Sequence, residues 1–147
     1  MKFLASLFAI LIATFVVAAQ EKPAPEDTAI RTVLNDQVAA WNKGDLAEFM
    51  VGYWNSPELT FYSGKDKHQG WDKAFERYKK RYQAEGKEMG QLSFSELEVQ
   101  LLSREFALVK GRWKVVTKTE SFDGLFTLVM KQTDKGWRIV HDHTSGS

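Results

Sequence analysis

Asp142 stands between His141 and His143 near the end of the chain, in the segment Gly136-Trp137-Arg138-Ile139-Val140-His141-Asp142-His143-Thr144-Ser145. A carboxylate taken out of water holds its proton more tightly and can then remove one from a carbon beside a carbonyl. Asp142, or His141 in its place, is therefore the candidate general base. The same carboxylate could instead accept a hydrogen bond from Arg112 or Arg138 and be purely structural, since ion-pair networks perturb carboxylates as active sites do. His141 and His143 are spaced so that both could touch one metal ion. Two ligands do not make a site, however. His68 is remote in sequence, and the chain has no cysteine and no His-x-x-x-His pair, so no metal is expected. Neither a GxSxG, a phosphate loop, a dinucleotide fingerprint nor an EF-hand pattern is present, and no cofactor is expected.

Thr144 shares the alternation of Asp142 and extends the polar cluster. Arg112, between Gly111 and Trp113 in a strand-like run, has two readings. As a buried guanidinium it would suit a carboxylate ligand or Asp142 itself; on a solvent face it would merely accompany Lys110 and Lys114. Trp41, Tyr62 and Tyr78 could stack on an aromatic or sterol-like ligand, or fill a core.

These residues need elements to hold them. Asp134-Lys135-Gly136 supplies a turn, and the alternating β-branched and aromatic residues after it predict a last strand. Strict alternation puts Trp137, Ile139, His141 and His143 on one face and Arg138, Val140, Asp142 and Thr144 on the other. Apolar residues on both faces predict cover on both. Three more strands precede it: Gln91 to Leu102, Phe106 to Thr119 and Leu125 to Gln132, with Phe122-Asp123-Gly124 as one separator. Neighbours in sequence should be antiparallel neighbours in space. The first of the three slips phase, with Leu92 and Phe94 at even positions but Leu97, Val99 and Leu101 at odd ones. A bulge near Ser95-Glu96 would reconcile them and bend the sheet.

The first half reads as helices. From a cap at Asp27 or Thr28, Ile30, Val33, Leu34, Val38 and Trp41 form one stripe, stopped by Gly44. Asp45 and Glu48 have capping-box spacing for a short second helix, whose Leu46, Phe49, Met50 and Tyr53 share a face. Leu59-Thr60-Phe61-Tyr62 and Lys67 to Gly70 read as a small hairpin, and Trp71, Phe75, Tyr78 and Tyr82 as one wall of a third helix.

Met1-Lys2, an apolar run from Phe3 to Ala18 and Val17-Ala18-Ala19 have the parts of a secretory signal peptide over residues 1–19. The run is short of the roughly 20 apolar residues that a membrane span needs. Residues 20–26, with Pro23 and Pro25, read as a linker, and 27–147 as one domain. Loss of residues 1–19, which carry Lys2 and no acid, leaves basic and acidic residues equal at 19 each. A field that sums to zero argues against nucleic acid or an anionic membrane as partner. The expected setting is secreted or periplasmic. With no cysteine the domain must be held by its core alone.

Trp41-Asn42-Lys43-Gly44-Asp45, Gly124 to Val129 and the terminal Trp-Arg-Ile-Val-His-Asp-His-Thr-Ser resemble the nuclear transport factor 2-like superfamily in its secreted, SnoaL-like bacterial branch. The ending is also similar to that of the calmodulin-dependent kinase association domain, an oligomerisation hub with a small polar pocket. The resemblance implies an α+β cone-shaped fold, with a strongly bent antiparallel sheet wrapped around three N-terminal helices. The superfamily includes ketosteroid isomerases, polyketide cyclases, dehydratases and carriers, so it implies a pocket without choosing its use. The leading expectation is a homodimeric small-molecule-binding domain with Asp142, Thr144 and Arg112 at its mouth. The alternatives are a cofactor-independent isomerase, dehydratase or cyclase using Asp142 or His141, and a homo-oligomerisation module without ligand whose sheet face of Trp137, Ile139 and Val129 meets a second copy.

Overall fold

In the computed structural model, which describes residues 24–146, the first helix, α1, spans Pro25–Asn42. The expected signal peptide lies outside the described residues. The helix begins two residues before the expected cap and takes in Pro25 and Glu26 from the expected linker. Proline is tolerated at the first helical position, where its missing N–H has no partner to lose, and no side chain caps this end.

The Trp-Asn-x-Gly-Asp run explains itself at the other end of α1. Trp41 is buried and its indole donates to the Met89 carbonyl at 3.1 Å. Asn42 donates to the Leu92 carbonyl at 3.0 Å and accepts from the Leu92 N–H at 2.7 Å, so one amide side chain acts as a strand partner. Gly44 turns the chain at a φ of 79°, where a β-carbon is penalised. Asp45 then accepts from the Glu48 N–H at 2.9 Å and starts α2, Leu46–Phe49. A 3-10 turn, Met50–Gly52, follows. α3 spans Trp71–Tyr82, as its aromatic spacing predicts.

Six strands make one open sheet: β1 (Thr60–Ser63), β2 (Asp66–Gln69), β3 (Gln91–Leu101), β4 (Phe106–Val116), β5 (Ser121–Thr133) and β6 (Gly136–Thr144), in the order β2-β1-β6-β5-β4-β3. The sheet is mixed rather than wholly antiparallel, because β1 lies parallel to β6, with Phe61 opposite Asp142 and Ser63 opposite Thr144. The long connection through β2, α3 and the three strands β3, β4 and β5 makes a parallel return possible, which a hairpin cannot. The predicted bulge in β3 is present: the register with β4 shifts between Ser95 and Glu98, and Glu96 has a φ of 53°.

Phe122-Asp123-Gly124 is not a separator but part of β5. The turn falls earlier, where the Thr117 backbone N–H and hydroxyl both donate to the Glu120 carbonyl. Gly124 is small for a different reason. The C-terminal segment crosses it, and a β-carbon there would collide with the Ser145 backbone. Ser145 in turn donates its N–H to the Leu125 carbonyl at 2.9 Å.

The last strand departs from strict alternation. Val129 faces His141 but Met130 faces Ile139, so Val140 is one residue too many. The bulge resets the phase. Trp137 and Ile139, 4% and 1% exposed, point into the chain's own core, and so does Asp142, at 3%. Trp137 and Ile139 are therefore not on the face of His141 and His143, and an assembly face built from them is not there. The core itself is formed between α1, α2, α3 and the concave side of the sheet, around Ile30, Leu34, Met50, Leu59, Val109 and Met130.

Deleting Val140 should throw Trp137 and Ile139 out of phase with Asp142 and cost more than about 3 kcal/mol. Val140→Ala, which keeps the residue count, should cost about 1 kcal/mol. Urea unfolding of the two variants beside the wild type is the check; a deletion variant as stable as the substitution would show that the phase reset carries no weight.

Candidate functional site

Tyr53 is brought to the last strand by the backbone. It follows the 3-10 turn, bridges to Ile139, and the next N–H, that of Trp54, donates to the Ile139 carbonyl at 2.9 Å. From there its hydroxyl donates to Asp142 Oδ2 at 2.7 Å. Thr144, two residues along the same face, donates to Asp142 Oδ1 at 2.7 Å. The Tyr78 hydroxyl, from the middle of α3, is 3.0 Å from that of Tyr53. Each phenol has a single proton. With Asp142 ionised, Tyr53 gives its proton to the carboxylate, so Tyr78 must donate to Tyr53 and keeps only lone pairs for any other partner.

Burial pushes the Asp142 carboxyl up to about 6, against the pull of the hydrogen bonds from Thr144 and Tyr53 and of the charges of Arg77 and His143. The two phenols respond in the same sense. Burial raises Tyr53 well above its ordinary value, and the negative charge of Asp142 adds to that. Tyr78 is raised for the same two reasons, in the same order. Both tyrosines therefore stay protonated, and the carboxyl is the group of the three that titrates near neutrality.

The cluster opens onto a cavity of about 350 Å³ under the helices, near the lower end of the roughly 300–1,000 Å³ of small-molecule sites. Its walls are aromatic: Trp41, Phe49 and Tyr82 from the helices, Phe94, Trp113 and Phe126 from the sheet. Trp41 meets Phe49, Tyr78 and Tyr82 edge-on at 5.0, 6.0 and 4.7 Å between centroids, a geometry aromatic pairs favour. The exposed residues of its lining mark the mouth: Lys65 and Asp66 just beyond β1, Ser145 just beyond β6 and Arg81 of α3, with the half-buried Arg77 also in the lining.

Of the residues expected at the site, Asp142, Thr144, Trp41 and Tyr78 line this cavity, and Arg112, His141 and Tyr62 do not. Arg112 is on the outer face of β4, with Nε 3.4 Å from Glu96 and Nη1 3.4 Å from Asp123. The even positions of β4 face away from the helices, so Arg112 joins Lys110 and Lys114 there, and the β3 bulge supplies its acid. His141 and Tyr62 are outside as well. Alternation puts His141 opposite to Asp142, the Val140 bulge parts it from the inward-facing Ile139, and pairing with β1 sets its Nδ1 2.6 Å from Thr60 Oγ1, with its ring edge-on to Tyr62 at 5.0 Å between centroids. Burial first, and then His143, lower the proton affinity of His141. Tyr53 and Arg77 were not singled out from the sequence. For Tyr53 the available signal was a phenol, rather than a phenyl, at the end of a core-facing stripe. Among the described residues no cluster of three His, Cys, Asp or Glu could hold a metal ion.

A three-helix layer over a bent sheet, with a polar cluster deep in the concavity, defines a nuclear transport factor 2-like cone. Comparison places the chain within that class: residues 30–146 match the SnoaL-like domain, and the chain belongs to that family. A solved protein of unknown function from Shewanella oneidensis MR-1, described as NTF-2 like, is 36% identical over 81% of this chain and 98% of its own, with a TM-score of 0.76. A nuclear transport factor 2-like superfamily protein from Salmonella enterica shares 20% identity, covering 82% of this chain and 92% of its own, TM-score 0.65. A ketosteroid isomerase-like protein from Erwinia carotovora atroseptica shares 18%, covering 83% and 96%, TM-score 0.67. These last two show likeness of fold alone. No curated protein matches the chain.

The raised carboxyl has a stability consequence of fixed sign. Between about pH 4 and pH 6 the folded chain binds more protons at Asp142 than the unfolded chain, so this group's contribution falls as pH rises through that window. Relative to Asp142→Asn, the wild type should lose up to about 3 kcal/mol between pH 4 and pH 7. Unfolding midpoints in urea across this range test it; parallel pH profiles for the two proteins would mean an ordinary carboxylate.

Proposed function

We propose that this chain is an exported, homodimeric domain that takes a small organic molecule into the cone, with Asp142, Tyr53, Tyr78 and Thr144 as its polar contacts. The observation that carries the reading is the open cavity with a buried carboxyl at its wall. A domain that needed only a core would fill a 3% exposed position with an apolar side chain, whereas a carboxylate there loses its hydration, a cost that the hydrogen bonds from Thr144 and Tyr53 do not fully offset, since the carboxyl is still pushed up to about 6. Export is supported by the signal-like residues 1–19, and dimerisation by the resemblance to the kinase association domain. No helix among the described residues is long and apolar enough to cross a membrane.

The test is a thermal-shift screen of the mature chain, of dimer mass by light scattering, against organic acids, ketones, aromatics and sterols. At least one class should raise the melting temperature in proportion to the logarithm of its concentration, and Asp142→Asn or Tyr53→Phe should shrink the response. Silence from every class with all three proteins would dispose of the proposal.

A second reading is a cofactor-independent isomerase or cyclase with Asp142 as proton shuttle. It is favoured by a carboxyl at about 6, close to the pH at which a general base works best. Exchange of solvent deuterium into a bound ketone should then be seen with the wild type and drop at least about 100-fold in Asp142→Asn; equal exchange in both would leave binding as the role.

A further inference from the structure

Three sites outside the carboxyl cluster could recognise something: the His141–Tyr62 face, a shallow cleft between the start of α1 and the β5–β6 turn, and the cation-rich mouth of the cavity. The mouth carries the most. Arg77 is half-buried there, with its Cζ 4.8 Å from the Phe61 ring centroid and 5.8 Å from that of Tyr78. One of its N–H groups donates to Ser63 Oγ at 2.7 Å. A guanidinium has five donors and stays charged at any relevant pH. Yet no carboxylate among the described residues is within salt-bridge distance of Arg77, Arg81 or Lys65, although all three border the cavity. Among the described residues that line the cavity the acids are Asp66, on the rim, and Asp142, which already has a hydroxyl on each oxygen.

Arg77 could simply be a distant counter-charge for Asp142, which its field does stabilise in the ionised form. That role requires neither a free fork edge nor two further cations at the same opening. Resting on the reading of the cone as a binding cavity, we infer that its ligand is a small carboxylic acid with a ring or short apolar body. Its carboxylate pairs with the Arg77 fork while Arg81 and Lys65 draw it in, and its body lies against the aromatic walls. A planar fork stacked on aromatic rings suits a planar carboxylate, which it can grip by two parallel bonds. A phosphate cluster is disfavoured because Arg81 lies in the last turn of α3, where the helix presents its partial negative end.

The register puts both groups on one stretch of the paired strands: Ser63 and Thr144 are partners, two residues beyond the pair Phe61 and Asp142, the Asp142 carboxyl meets Thr144, and the guanidinium held by Ser63 lies over Phe61. A hydroxyl at the far end of such an acid would meet a spare lone pair of Asp142 or of Tyr78.

The experiment is calorimetric titration of the mature chain with 4-hydroxybenzoate, benzoate, cyclohexanecarboxylate, their neutral amides and inorganic phosphate, at fixed ionic strength. At least one acid should bind, and at least about tenfold more tightly than its amide. Arg77→Gln should remove that preference, Arg77→Lys should keep part of it, and Arg81→Gln and Lys65→Gln should weaken binding a few-fold, with a reduced dependence on salt. The acid-to-amide ratio is measured on the wild type, so it stands even if Arg77→Gln fails to fold. Equal binding of acids and amides would overturn the inference and leave the cavity reading standing. No binding by acids or amides, or binding by phosphate alone, would overturn the inference too; only a silent screen across all ligand classes would take the cavity reading with it.

Discussion

One surplus residue in the last strand decides where the chemistry of this domain can be. A strand in strict alternation could bury Trp137 and Ile139, or Asp142 and Thr144, but not both pairs on one side. The bulge at Val140 removes that choice. The first pair then closes the core while the second lines the cavity, and the carboxyl enters the fold behind two large apolar side chains that fix the strand's position. The bulge also fixes Tyr53. Its backbone joins the strand at Ile139, immediately before the bulge, so the phenol and the carboxyl are positioned by the same irregularity, and a relative displacement of the two would need the sheet itself to move.

The interior and exterior of the sheet therefore carry different chemistry from the same nine-residue strand. Inside, Asp142 is satisfied entirely by hydroxyls; when it gains a proton the cluster's three contacts hold four protons, so one hydroxyl must turn toward the cavity for an acceptor. Outside, His141 meets Thr60 and Tyr62 at a half-exposed surface, where an imidazole needs no such arrangement. A His-Asp-His sequence looks like one cluster when written in a line. In the fold it is a carboxyl on one side and two imidazoles on the other, and no proton can pass directly between them across the backbone.

The elements were legible in the sequence where a single local rule governed them. The aromatic spacing from Trp71 to Tyr82 defines α3, and the phase slip of Leu92 and Phe94 against Leu97 and Val99 reveals the β3 bulge. The slip in β6 was not legible, because Trp137, Ile139, His141 and His143 alternate without a break. Only the burial of Asp142 against Leu128 and Phe61 in the folded sheet exposes the extra residue. Gly124 misled for a related reason. A glycine after Phe-Asp reads as a turn, but its small size serves a tail that passes over the strand, a contact made by Ser145 and Gly146. Arg112 had two readings that sequence alone left balanced, and they differ only in which parity of β4 faces the helices.

Asp142 and Arg77 illustrate why the site was harder to read than the fold. Each has a chemical identity visible in the sequence, but their significance comes from what is missing around them: bulk water near the one, a paired acid near the other. Absence of a partner is a property of the packed molecule, set by β1 returning parallel to β6 and by α3 lying across both. Had β1 paired antiparallel, Ser63 would not sit beside Thr144, and the guanidinium of α3 would lose this anchor at the C-terminal end of β6. The parallel pair thus does more than add a strand. It sets Ser63, which holds a half-buried cation of α3, beside Thr144 at the end of the strand that carries the buried acid, so that Arg77 and Asp142 line the same cavity.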